Sequence, residues 1–236
     1  MPGRDREKTD APPRDPPGEF RALIFDLDGT LYDSKNIARR LILARPLDAP
    51  LMGAERHTRK VFAGRVYDSA ESYYQAFFLE FSKQARCSAP FARQWYFETY
   101  MPLMIRVLGR HYRPRPGAAE LFAALESGNP GGREIPFAVY SDYPMTGERL
   151  KALGLAIAGV HIYGPEDLGA QKPAAAPFLR IAEDLGRAPG DILVAGDRDD
   201  TDGEGARAAG MMYFNVNADS WGRLLSLLVK PGQEQR

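Results

Sequence analysis

Short apolar runs that end on acids or hydroxyls recur along the chain. Residues 21–25 read Arg-Ala-Leu-Ile-Phe and run straight into Asp26. Residues 135–140 end at Ser141-Asp142, and residues 191–195 end at Gly196-Asp197. Runs this short and this continuously apolar predict parallel strands buried on both faces. Weaker strands are expected at 212–216 and 160–163. Pro136 suits the first position of its strand, where no ladder hydrogen bond is lost.

Between the runs, apolar residues fall at helical spacing. Leu121, Phe122 and Leu125 mark a helix over 118–126. Helices are also expected at 146–153 (closed by Gly154), 176–185, 203–209 (closed by Gly210) and 220–229. Strands alternating with helices predict an α/β fold, a Rossmann-like doubly wound parallel sheet. Residues 34–113 break the alternation, because they carry no clear strand. Tyr73, Tyr74, Phe77, Phe78 and Phe81 share one helical face, the signature of a helical insert with its own core. The expected organisation is a disordered tail at 1–18, a catalytic core of 19–33 and 114–236, and an inserted α-helical cap domain at 34–113. The tail reading rests on Pro, Arg, Asp and Glu, which bury too little surface to offset ordering entropy.

Composition narrows the function classes. The 236 residues are 44% hydrophobic and 26% charged, with 31 basic and 31 acidic side chains. That balance sets up no global field for nucleic acid. No run approaches the ~18–20 apolar residues of a membrane span, and the N-terminus lacks a signal peptide's apolar core. Cys87 stands alone, so it reads as a small apolar residue in a reducing compartment. A cytoplasmic protein without membrane or nucleic-acid partners is expected.

The strand ends carry the chemistry, since ligands of open parallel sheets bind there. A carboxylate at a strand end, such as Asp26, can attack phosphorus and form an acyl phosphate. Asp28, two residues on, can give a proton to the leaving oxygen and later activate water. Gly29 permits a tight turn, and Thr30 can hydrogen-bond the loop. Ser141 and the amide of Asp142 suit a phosphate oxygen. Lys172 would neutralise clustered negative charge. The loop Gly196-Asp197-Arg198-Asp199-Asp200-Thr201-Asp202 is acidic enough to need a hard cation, Mg²⁺ by its oxygen donors. Each loop taken singly also reads as an ordinary turn, a solvated lysine or a helix cap. The stretch 56–60 (Arg-His-Thr-Arg-Lys), with Arg39, Arg40 and Arg45, reads as a solvated basic helix face or as a recognition site for a second anionic group. His57 reads as a surface residue.

Taken in order, Asp26-Leu27-Asp28-Gly29-Thr30, Ser141, Lys172 and Asp197 to Asp202 resemble the haloacid dehalogenase (HAD) superfamily, in its phosphatase-like subgroup with a helical cap after the first motif. The resemblance covers roughly residues 21–216. It implies that Asp26 is the nucleophile and a Mg²⁺ ligand. Asp28 would be the general acid/base, with its backbone carbonyl on the metal. Ser141, Asp142 and Lys172 would hold the phosphoryl group. Asp197 would be the third protein ligand, and Asp202 would complete the metal site by orienting a metal-bound water or Lys172. Family dehalogenases and phosphonatases lack an acid at the position of Asp28, so its presence implies a phosphate ester of a small metabolite. A phosphomutase shares all four motifs and stays open as the alternative, as does a non-catalytic binding protein on this fold. Asp142 stands where many family phosphatases have Asn; its charge would repel a dianion unless it points away or is paired.

Overall fold

The computed structural model describes residues 19–126, 135–155, 159–216 and 220–229. The tail expected at 1–18 lies outside the described residues. Five parallel strands form one sheet: β1 (Ala22–Asp26), β2 (Phe137–Tyr140), β3 (His161–Tyr163), β4 (Ile192–Gly196) and β5 (Met212–Asn215), in the order β3-β2-β1-β4-β5. The fold is α/β and Rossmann-like, and the expected strands fall within a residue or two of these bounds.

Period-two alternation sorts β1 between two apolar layers. Leu23 and Phe25 join one cluster, while Ala22 and Ile24 join the other. Leu193 and Ala195 of β4 face the first layer, and Ile192 and Val194 face the second. The second layer is covered by α9 (Ala175–Asp184) and α10 (Glu204–Ala208), through Phe178, Ile181 and Ala206. The first is covered by α6 (Ala118–Glu126), α7 (Thr146–Leu153) and α11 (Trp221–Val229). A short helix, α8 (Pro165–Leu168), follows β3.

Five helices separate β1 from α6: α1 (Ile37–Ala44), α2 (Ala49–Phe62), α3 (Ala70–Ala85), α4 (Ala89–Trp95) and α5 (Met101–His111). Ser69 caps α3 by accepting from the Ser72 amide at 3.1 Å, and Ser88 caps α4 at 3.3 Å. The α3 aromatics are buried as their spacing requires. Phe77 packs edge-on against Phe62 of α2 at 5.4 Å and against Phe81 at 6.4 Å. Each such ring contributes ~1.5–3 kcal/mol by leaving water, which is how a segment without strands holds together. These helices are tied to the sheet at two seams. Arg115 N donates to Leu31 O at 2.8 Å where the chain returns, and Gly64 N donates to Lys172 O at 3.0 Å.

Candidate active site

Asp26 ends β1 and Asp197 follows β4. The chain crosses to opposite sides of the sheet between these two strands, which makes their carboxyl ends the crevice of the fold. Asp26 is buried. Its two oxygens accept from Lys172 Nζ at 2.7 Å and from Thr30 Oγ1 at 2.8 Å. Lys172 Nζ also reaches Asp202 Oδ1 at 2.8 Å and the Tyr140 carbonyl at 3.1 Å. Burial alone would lower the lysine's pKa, but the charges of Asp202 and Asp26 outweigh it and hold the ammonium protonated. The Asp197 amide donates to Thr30 Oγ1 at 2.9 Å, so Thr30 joins the first loop to the fourth. Gly29 makes this closeness possible: its φ is 97°, and a Cβ there would collide with the Asp197 carboxylate. A Cβ on Gly196 would likewise collide with Asp202.

One oxygen from each of Asp26, Asp197 and Asp202 lies within 4.8 Å of the others. Crowding and burial act on all three. Burial, then the neighbouring acids, push Asp26 up to about 7 despite Lys172. Burial and the charge of Asp26 push Asp197 up to about 6. Asp202 is raised chiefly by burial. Hard oxygen donors that repel one another fit a divalent cation, whose charge would relieve the strain on the ionised forms.

Asp28 points elsewhere. Oδ1 accepts from Tyr32 Oη at 2.6 Å, and Oδ2 accepts from Ser141 Oγ at 2.9 Å and from Arg149 Nη2. Burial would raise Asp28, but the Arg149 charge and these hydrogen bonds outweigh it and hold the carboxyl below its usual 3.8. The Asp28 carboxylate therefore stands outside the Asp26–Asp197–Asp202 cluster. Ser141 Oγ also accepts from Arg149 Nη1 at 2.9 Å and from the Tyr143 amide at 3.1 Å. Asp142 is paired: Oδ1 accepts from the Lys172 amide at 3.0 Å. All four loops thus meet at one end of the sheet.

The sequence matches the haloacid dehalogenase-like hydrolases over residues 20–210. The chain belongs to that family. This HAD-like hydrolase is 26% identical over 224 residues to a glyceraldehyde 3-phosphate phosphatase of Methanopyrus kandleri, covering 84% of each chain. Its fold is similar to that of a HAD phosphatase from Thermococcus onnurineus, at a TM-score of 0.56 and 22% identity over 85% of this chain and 87% of the other. An L-2-haloacid dehalogenase gives 0.59 at 16% identity, over 90% and 100% of the two chains.

Several residues of this HAD-like hydrolase were not singled out from sequence. Arg149 is fully buried beneath Asp28. It lies on the inward face of α7 with Thr146, Leu150 and Leu153, and a cation at that spacing was the available signal. Tyr32 and Tyr143 gave none. Asp199 and Asp200 are exposed on the fourth loop, where they form surface ion pairs with Arg207 at 2.9 Å and Arg198 at 2.7 Å. His57 is exposed as expected. The basic face of α2 departs from a purely solvated one, because Arg56, Arg59 and Lys60 line a cavity of about 670 Å³ shared with Asp28 and Lys172. Arg39, Arg40 and Arg45 do not line it. Among the described residues, no helix is long and apolar enough to cross a membrane.

Proposed function

We propose that this hydrolase is a phosphatase that removes phosphate from a small phosphorylated metabolite through an ester on Asp26. The observation that carries the reading is the seating of Asp26. Its carboxylate is oriented by Thr30 and Lys172, beside two further acids, and it lies two residues from an acid that faces a metabolite-sized cavity. The phosphatase name of the Methanopyrus kandleri relative supports it.

An Asp26 oxygen attacks phosphorus, the bond from phosphorus to the leaving oxygen breaks, and that oxygen takes a proton from Asp28. Water then attacks phosphorus and gives a proton to Asp28. The bond to Asp26 breaks, and inorganic phosphate leaves. Asp28, paired with Arg149, is in the ionised state needed for the second half. For the first half, a phosphate dianion beside it raises its affinity for a proton. Lys172 neutralises charge on Asp26 and on the transferring group, while Ser141 and the Asp142 amide hold phosphoryl oxygens. A Mg²⁺ ion held by Asp26, Asp197, Asp202 and the Asp28 carbonyl would stabilise charge on the phosphoryl oxygens. Helices of 34–113 act as the cap that shapes the substrate cavity. A lone Cys87 suits a cytoplasmic protein.

The test is release of phosphate from p-nitrophenyl phosphate with Mg²⁺, in the wild type and in Asp26→Asn. Loss of turnover with an unchanged melting curve is expected. Substantial turnover by Asp26→Asn, or full activity after exhaustive chelation, would sink the reading. Following free phosphate against isomerised product from sugar phosphates distinguishes hydrolysis from phosphoryl return.

A further inference from the structure

We propose that the α2 face of the cavity is a subsite for a second anionic group, so that the substrate is a phosphate monoester whose carbon skeleton ends in a carboxylate or another phosphate. This rests on the phosphatase reading for which end of the cavity takes the scissile phosphate. Arg56, Arg59 and Lys60 follow one another at helical spacing, so all three fall on one face of α2. That face lines the same cavity as Lys172, Asp28 and Asp142.

The three cations are not equivalent. Arg59 is held in place: its guanidinium lies 3.4 Å from the centre of the Tyr143 ring, and Nε pairs with buried Glu55 at 3.0 Å. Glu55 thereby offsets part of its charge. Arg56 and Lys60 are exposed on the cavity side, and the structure assigns neither an ion pair. Across the cavity, Arg198 is engaged by Asp200. The positive charge of the cavity wall without an ion-pair partner therefore sits at Arg56 and Lys60. His57 is exposed but does not line the cavity. Elsewhere the wall mixes apolar Leu41, Met52 and Met104, which suit a short carbon chain, with the neutral polar groups of Ser34, Asn36 and Tyr100.

The experiment uses non-hydrolysable pairs, so that binding is read apart from turnover. Calorimetry on the full chain with Mg²⁺ compares 3-phosphonopropionate, propane-1,3-bisphosphonate and propylphosphonate. Either dianionic-tailed or carboxylate-tailed ligand is expected to bind about tenfold or more tightly than propylphosphonate, as charge-assisted contacts allow. Which of the two binds better identifies the second group as phosphate or carboxylate. The preference should collapse to within about twofold in Arg56→Ala/Lys60→Ala and invert in Arg56→Glu/Lys60→Glu. Both positions are exposed, so neither pair threatens the fold, and melting curves check this. Equal affinity of all three ligands for the wild type, or a preference that survives both double variants, overturns the subsite. Absence of p-nitrophenyl phosphate turnover with the preference intact overturns the phosphatase reading and leaves the subsite standing.

Discussion

Replacing Arg149 by Met should cost about 3 kcal/mol of stability at neutral pH, and most of that cost should vanish when Asp28 is replaced as well. Arg149 is wholly inside, and it donates to Asp28, to Ser141 at 2.9 Å and to the Tyr143 carbonyl at 3.3 Å. Met fills similar space without donors. Asp28 would then keep only Tyr32 and Ser141 as partners while remaining charged. Removing one partner of a buried pair costs ~3–5 kcal/mol, because the other is left uncompensated. The Asp28 side chain keeps 22% of its surface open, so water relieves part of that penalty and the lower end applies. For a protein of this size, the loss lowers the melting temperature by roughly 6–12 °C. Urea unfolding of the wild type, Arg149→Met, Asp28→Asn and the double variant forms a cycle. A coupling of about 2 kcal/mol is expected at pH 7. The pH dependence has a fixed sign. Asp28 is held below 3.8, so the pair's contribution is complete above about pH 4 and is lost as pH falls through the folded-state value. The gap between wild type and Arg149→Met should therefore narrow in acid. An additive cycle, or a gap independent of pH, would refute the pairing as described.

Glu55 predicts the opposite slope. Burial raises it from 4.5 to about 7 against the pull of Arg59, so its contribution is complete below about pH 4.5 and is lost as pH rises through about 7. The interval corresponds to about 3 kcal/mol, and Glu55→Gln should flatten the stability–pH curve over it; an unchanged slope would count against the burial. Mg²⁺ or Mn²⁺ added to metal-free protein should raise the melting temperature through Asp26, Asp197 and Asp202, with a smaller rise in Asp197→Asn; no rise at millimolar ion would remove the cation site. Gly29→Ala should destabilise by about 1–3 kcal/mol for its left-handed backbone and weaken cation binding by displacing Asp197, measured by chelator competition.

How much was legible follows from the range of each interaction. The strands were readable because β1, β2 and β4 are apolar without interruption, and a run of that kind has few alternatives in a sheet covered on both sides. Asp26, Lys172 and Asp197 could be assigned to one place because each ends a strand or follows one, and parallel strands gather those ends. What Asp28 would contact was not readable. Its partners Arg149 and Tyr32 depend on the rotation of α7 and on the loop after Gly29, which sequence spacing does not fix. The orientation of α2 was undecided for a similar reason. A basic face at helical spacing looks the same whether it meets water or a cavity, and only the packing of α1, α2 and α5 over the sheet ends separates the two.

The strand order has a consequence for how the chain is made. β1 leaves the ribosome before the other four strands of the sheet, yet it occupies the middle of it. Leu23 pairs with Phe137 on one side and with Leu193 on the other. At ~5–20 residues per second, β1 waits roughly 6–20 s for its first neighbour and longer for its second. Through that interval its apolar Ala-Leu-Ile-Phe stretch has two bare edges and no sheet to join, while the aromatic helices that follow can collapse on their own. Nascent chains halted before residue 137 should therefore hold folded helices beside an unpaired β1, which makes that strand the segment most in need of a chaperone.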